Sequence, residues 1–311
     1  MNRSRSIRVA VLALLVVTLF GSCSSHAPYK QVSLKPAADE TPGAVSPPEP
    51  GALHVAVAAI LSPQATSQGY DRLVAYLEAR LGRPVQLAQR GTYAETNELV
   101  RTRQVDLAFV CTGAYVQGNK EFGMELLAVP QVGGASTYQS YIIVPATSAV
   151  QSLDDLRGRV FAFTDPLSLS GYLVPLYLLM SENKGSPDTY FSRTLFTYSH
   201  ENSVKAVAEG WVDGAAVDSL VYEAVVAQKP EYSQRLRVIW RSEPYGAPPA
   251  VVHPSLDSAT KEQLRQVLLA MDKSEQGRDA LIPLGVDRFA QGDDSLYDSA
   301  RTVFNAVGGS R

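Results

Sequence analysis

In this 311-residue chain, chemistry is most densely packed in Asp165-Pro166-Leu167-Ser168-Leu169-Ser170-Gly171-Tyr172. Ser168 and Ser170 flank Leu169, and each hydroxyl can donate a hydrogen bond. Gly171 follows without a side chain, so a ligand can approach the backbone closely there. The apolar run behind it reads as a helix, whose first turn offers unpaired N–H groups at the positive end of the dipole. Such a set binds an anion without Lys or Arg. The same residues also make an ordinary serine cap, and alone they leave both readings open.

Three further loops carry polar groups at comparable places. Thr92-Tyr93 and Tyr198-Ser199-His200 each precede a helical pattern. Cys111-Thr112-Gly113 follows an apolar run and adds the Thr112 hydroxyl and backbone donors, with Cys111 itself read as a packing residue. His200 is either a donor to an anion or a polar residue at a helix start. Asp218 is either a helix cap or an acid that accepts a ligand proton or amine, or orients His200. Tyr138, Tyr141, Tyr172 and Tyr177 read as core or wall residues.

These loops must be held by the elements around them, and the pattern is alternating strand and helix. Leu53–Leu61, Pro84–Gln89 and Val105–Val110 read as strands. Tyr70–Leu81 has apolar residues at helical spacing, and Glu95–Thr102 is the next helix. Repeated β-α units predict mostly parallel sheets with covered faces, and strand ends in such sheets are where ligands sit. TYAETNELVRTRQVDLAFV is similar to SHENSVKAVAEGWVDGAAV from Ser199. Two such units predict two lobes. YIIV before Pro145 and AVVH between Pro249 and Pro254 are the candidate crossovers. The expected division is lobe one over 53–140 and 254–311, lobe two over 146–244, and hinges at 141–145 and 245–253. Helices around Lys261–Met271 and Ser295–Val307 would return to lobe one.

The N-terminus has a different character. Arg3, Arg5 and Arg8 precede an apolar run, Val9–Phe20, too short to span a membrane comfortably. Residues 1–22 therefore read as an export signal. Cys23 makes it resemble a bacterial lipoprotein signal, with Phe20 where Leu is usual; the resemblance implies cleavage before Cys23 and acylation of it. Residues 23–52 read as a Ser/Pro-rich tether. Loss of residues 1–22 removes three Arg and no acid, taking the formal charge from −3 to −6. An anion site must then rely on local donors, and nucleic acid is not expected as a partner. With Cys23 acylated, Cys111 has no disulfide partner. The four His residues and the spare Cys show no metal-ligand spacing, so no cofactor is expected.

Taken together, DPLSLSGYLVP, SHENSVKAVAEGWVD, SLDDLRGRVFAF and LRVIWRSEPYGAPPAVV resemble the periplasmic phosphonate-binding proteins of ABC transporters. The resemblance runs from about residue 53 to the C-terminus. It implies a two-lobed α/β fold of the type II periplasmic-binding class. It also implies a small oxyanion (phosphonate, phosphite or phosphate) held in the cleft by a monomeric receptor and passed to an ABC permease. Carried over by position, the Ser clamp falls on Ser168 and Ser170, the helix-start His on His200, and the first-lobe Tyr on Tyr93. This chain departs from the family at Leu169, where a hydroxyl is common, and at Cys111-Thr112, where an aromatic and Gly are frequent. A sensor feeding a membrane signalling protein would share the fold. A hydrolytic triad of Ser168 or Ser170, His200 and Asp218 is disfavoured, because Gly-x-Ser-x-Gly is absent.

Overall fold

The computed structural model describes residues 51–59 and 63–308. The expected signal segment 1–22, the lipidation residue Cys23 and nearly all of the expected tether 23–52 lie outside the described residues.

The chain opens with strand β1 (Leu53–Val57), helix α1 (Pro63–Leu81), β2 (Val85–Gln89), α2 (Tyr93–Arg101), β3 (Leu107–Phe109), α3 (Thr112–Phe122) and β4 (Glu125–Gln131). A short strand, β5 (Thr137–Tyr138), leads to β6 (Ser140–Pro145) and β7 (Val160–Phe163). Then come α4 (Val174–Ser181), α5 (Pro187–Tyr190), β8 (Arg193–Phe196), α6 (His200–Ala208), β9 (Gly214–Asp218), α7 (Ser219–Gln228), α8 (Pro230–Arg235) and β10 (Leu236–Arg241). The chain returns through β11 (Tyr245–Gly246) to β12 (Ala250–Val252), α9 (Ser258–Leu269), α10 (Glu275–Leu281), β13 (Arg288–Ala290) and α11 (Asp298–Gly308).

Two mixed sheets result. One has the order β13-β4-β12-β3-β1-β2, the other β10-β6-β9-β7-β8. β1 is parallel to β2 and β3, and β7 is parallel to β8 and β9. The central strands are buried on both faces, as their unbroken apolar runs require: Ala215, Ala216 and Val217 are all fully buried. Helices cover the faces, and separate cores form under each sheet. One further core is shared: Tyr115 and Met124 pack with Leu169 and Leu173 from the other lobe and with Val303 of α11.

The segments expected as crossovers are sheet strands. Tyr141–Val144 lies inside β6, paired with β9 on one side and β10 on the other. Ala250–Val252 is β12, paired with β3 and β4. Both runs are apolar enough to be buried on two faces, which draws them into the sheets. The chain passes between the sheets just outside them, where β5 and β11 form a two-stranded ribbon pairing Tyr138 with Tyr245.

Candidate functional site

All eight residues singled out as ligand contacts lie at the carboxyl ends of strands and are buried. Tyr93 follows β2, Thr112 follows β3, Ser168, Leu169, Ser170 and Gly171 follow β7, His200 follows β8, and Asp218 ends β9. The two sheets therefore present their loops to one another.

The serine stretch is built by an unusually wide turn. Residues Leu169–Leu173 form a single π-type turn, a form often found at functional positions. Leu173 donates its N–H to the Ser168 carbonyl five residues back, at 3.0 Å. Ser168 caps the turn, and its Oγ accepts the Gly171 N–H at 3.0 Å. Gly171 is obligatory, because a Cβ there would overlap the Thr164 side chain. The Gly171 N–H is thereby taken by Ser168.

His200 is the hinge of this hydrogen-bond network. Its Nδ1 accepts the Asp218 backbone N–H at 3.0 Å and lies 3.1 Å from Thr164 Oγ1. A nitrogen that accepts from a backbone N–H carries no proton, so the remaining proton sits on Nε2. Nε2 is 3.4 Å from Ser168 Oγ, a long contact in which the histidine donates. Burial drives the imidazole pKa down to about 3, which keeps the ring neutral. Ser168 Oγ thus accepts twice and keeps its own hydrogen for a further acceptor.

Asp218 resolves the two readings of its role only in part. Its Oδ1 accepts the Leu220 and Val221 N–H groups at 2.7 and 3.2 Å, so it caps α7. It does not orient His200 through its carboxylate; its backbone N–H does that. Burial also raises its pKa to about 7, so near neutrality the acid can either donate or accept a proton.

Lobe one supplies the facing wall. The Tyr93 N–H, at the first turn of α2, donates to Asp165 Oδ2 of lobe two at 3.1 Å. Gly113 lets α3 meet the serine loop, since a Cβ there would overlap the Leu167 carbonyl. Cys111 lies at the backbone of Leu169 and Gly113, and burial raises its thiol pKa to about 11. Thr112 Oγ1 donates to the Gly246 carbonyl at 2.8 Å, so its hydroxyl is committed to the ribbon. Leu169 contributes its packing in the shared core.

Three fully buried hydroxyls in this cluster have no hydrogen-bond partner: Tyr93, Tyr138 and Ser170. Burial raises both tyrosine pKa values well above normal, with Cys111 and Asp218 beside each. Thr112 and Ser170 lie near the Tyr138 phenol, but no hydrogen bond of acceptable geometry forms. Leaving one buried donor unpaired costs roughly 1–3 kcal/mol, a cost that acceptors placed among the three would offset. Tyr138, read from the sequence as a wall residue, belongs to this set. Its position depends on the β5–β11 ribbon, whose two-residue strands leave no periodic signal.

Architecture and site together define a two-lobed receptor of the type II periplasmic-binding class, with its polar loops gathered between the lobes. Residues 55–297 match the family model described as "ABC transporter, phosphonate, periplasmic substrate-binding protein", and the chain belongs to that family. It is 31% identical over 185 residues to the phosphate-import protein PhnD of Mycolicibacterium smegmatis, covering 56% of this chain and 57% of the relative. It is 27% identical over 223 residues to the phosphonates-binding periplasmic protein of Escherichia coli, covering 70% and 65%. The matched stretch thus spans less than two thirds of either relative's length. The crystal structure of a binding protein component of an ABC phosphonate transporter from Pseudomonas aeruginosa superposes with a TM-score of 0.78. It is 25% identical, with 84% of this chain and 88% of that one covered.

Proposed function

We propose that this protein captures a small phosphorus oxyanion (phosphonate, phosphite or phosphate) between its lobes and delivers it to an ABC importer. The observation that carries the reading is the convergence of the unpartnered Tyr93, Tyr138 and Ser170 hydroxyls with the spare hydrogen of Ser168. Four neutral donors drawn from both lobes and the ribbon suit an oxyanion that sheds its water on closure. The names of the curated relatives, one for phosphate import and one for phosphonate binding, support the same headgroup. In this reading the hinge is the β5–β11 ribbon, and closure is held by the Tyr93–Asp165 contact. The protein acts as an exported monomer, tethered to the membrane through an acylated Cys23.

Titration calorimetry of the Ser168→Ala/Ser170→Ala double variant with phosphate, phosphite and methylphosphonate tests the site. Loss of two donors should weaken binding about 100-fold or more; Ser170→Ala alone should move the melting temperature little, whereas Ser168→Ala also removes the acceptor of the Gly171 N–H and should lower it. Unchanged affinity would sink the assignment. Labelling with radioactive palmitate tests the anchor, and Cys23→Ala should abolish incorporation.

A further inference from the structure

Beyond Asp218 the cleft changes character. A cavity of about 400 Å³ lies between the lobes, in the size range of small-molecule sites. Val57, Phe109 and Phe289 line it from the six-stranded side, and Leu220, Val221 and Ala224 of α7 face them. Asp218 lines it too, and its backbone N–H donates to His200 of the polar cluster at 3.0 Å. The cavity therefore meets the polar cluster at Asp218. Its charged members are Asp218, Glu201 and Lys229; the last two pair with each other at 3.2 Å.

We propose that this cavity holds the organic substituent of the ligand, and that the substituent is an uncharged apolar chain or ring. The preferred ligand is then an alkyl- or arylphosphonate rather than phosphate or an aminoalkylphosphonate. The inference rests on the oxyanion reading above. A bare oxyanion would leave the apolar walls without contact. An ammonium group would be desolvated against largely apolar walls, where Glu201 is matched by Lys229 and Asp218 spends Oδ1 on two N–H groups of α7, leaving Oδ2 to set against the loss of water. A methylene chain meets neither cost.

The test is a calorimetric series on the full chain with phosphate and with methyl-, propyl-, butyl-, phenyl- and 2-aminoethylphosphonate. Affinity should rise roughly fourfold per buried methylene from methyl to butyl. 2-Aminoethylphosphonate should bind at least tenfold more weakly than propylphosphonate, which has nearly the same size. Ala224→Phe, which fills the cavity, should flatten the series and leave methylphosphonate unchanged. Should that variant also lose methylphosphonate, Leu220→Asn makes the same test by adding polarity without volume. A flat or falling series in the unaltered protein, with methylphosphonate still bound, overturns this inference alone. So does a preference for the amine, or a rise that survives both variants. If neither phosphate nor any phosphonate binds, the oxyanion reading fails and this one with it.

Discussion

The unit β1–β2–α2–β3 and the unit β7–β8–α6–β9 are two versions of one design, and their differences fall at the cleft. In each sheet the first strand lies between the second and third, with all three parallel. Each third strand is preceded by an aspartate that returns to the first: Asp106 Oδ2 accepts the His54 N–H, and Asp213 Oδ2 accepts the Val160 N–H, both at 2.9 Å. Each helix is capped by a hydroxyl, Thr92 or Ser199. The scaffold positions are equivalent, but the residues facing the cleft are not. Tyr93 stands where the other unit has His200, and Cys111 stands where it has Asp218. In one unit the pair leaves a phenol unpartnered; in the other the pair is hydrogen-bonded to itself through backbone and ring. The scaffold is repeated, whereas the chemistry is divided: one unit carries a hydrogen-bonded polar pair and the other an unpartnered phenol beside a buried thiol.

The largest expected consequence is a pH dependence confined to the His200–Asp218 unit. His200 binds its proton with a pKa of about 3 in the folded state against an ordinary 6.5. Below 6.5 the unfolded chain takes up the proton first, so this group costs stability as pH falls from about 6.5 to 3. Asp218 is raised to about 7 from 3.8. The unfolded chain loses that proton first, so this group costs stability as pH rises from about 4 to 7. Between about 4 and 6.5 the two slopes oppose. His200→Gln should therefore gain on wild type progressively as pH falls below 6.5. Asp218→Asn should gain as pH rises from 4 to 7, with an upper bound of about 5 kcal/mol for each. Urea unfolding of the ligand-free proteins across pH 3 to 8 measures both. Parallel profiles for wild type and the two variants would refute the account. The corresponding Tyr93→Phe and Cys111→Ala profiles should track wild type over this range.

A smaller effect separates Asp218 from Cys111 as caps. Asp218 satisfies two N–H groups of α7, whereas Cys111, at the matching position before α3, makes no side-chain cap bond to its own helix. Asp218→Ala should cost about 2 kcal/mol at low pH, where its charge plays no part. Cys111→Ala should cost about 1 kcal/mol or less, as a small packing loss. Equal costs in denaturant titrations would mean that the two positions are not functionally divided.

The sequence makes this repeat legible because its signals are local. A hydroxyl cap, an apolar helical stripe and Val-Asp before a strand each act within a few residues. The serine stretch is legible for the same reason, and Ser168 does cap a turn while also facing His200. The hinge is not legible locally. YIIV and AVVH are apolar runs beside prolines, and only the sheet decides whether such a run crosses between lobes or is buried within one. Tyr138 is hidden similarly, because pairing with Tyr245 more than a hundred residues away brings it to the cleft. Leu220 and Ala224 carry no local signal at all; Phe109 and Phe289, distant in sequence, line the same cavity and give them their surroundings.

The smallest predicted effect tests whether the two units are equivalent where they carry no chemistry. After each helix the chain turns through the left-handed region, at Arg103 with φ 58° and at Gly210 with φ 71°. The hydrogen bonds around the turn match: Arg103 and Gln104 donate to Val100 and Leu99, and Gly210 and Trp211 donate to Val207 and Ala206. Only glycine adopts this conformation freely. Space around Gly210 is open, so Gly210→Ala should lose about 1 kcal/mol through backbone strain alone. Arg103→Gly relieves the same strain but gives the unfolded chain more freedom, so its gain should stay below about 1 kcal/mol. Opposite signs in the two chemical-denaturation midpoints fit one turn built twice. A loss at Arg103 instead would mean that its side chain contributes a contact for which Gly210 has no counterpart, and the repeat would end at the helices.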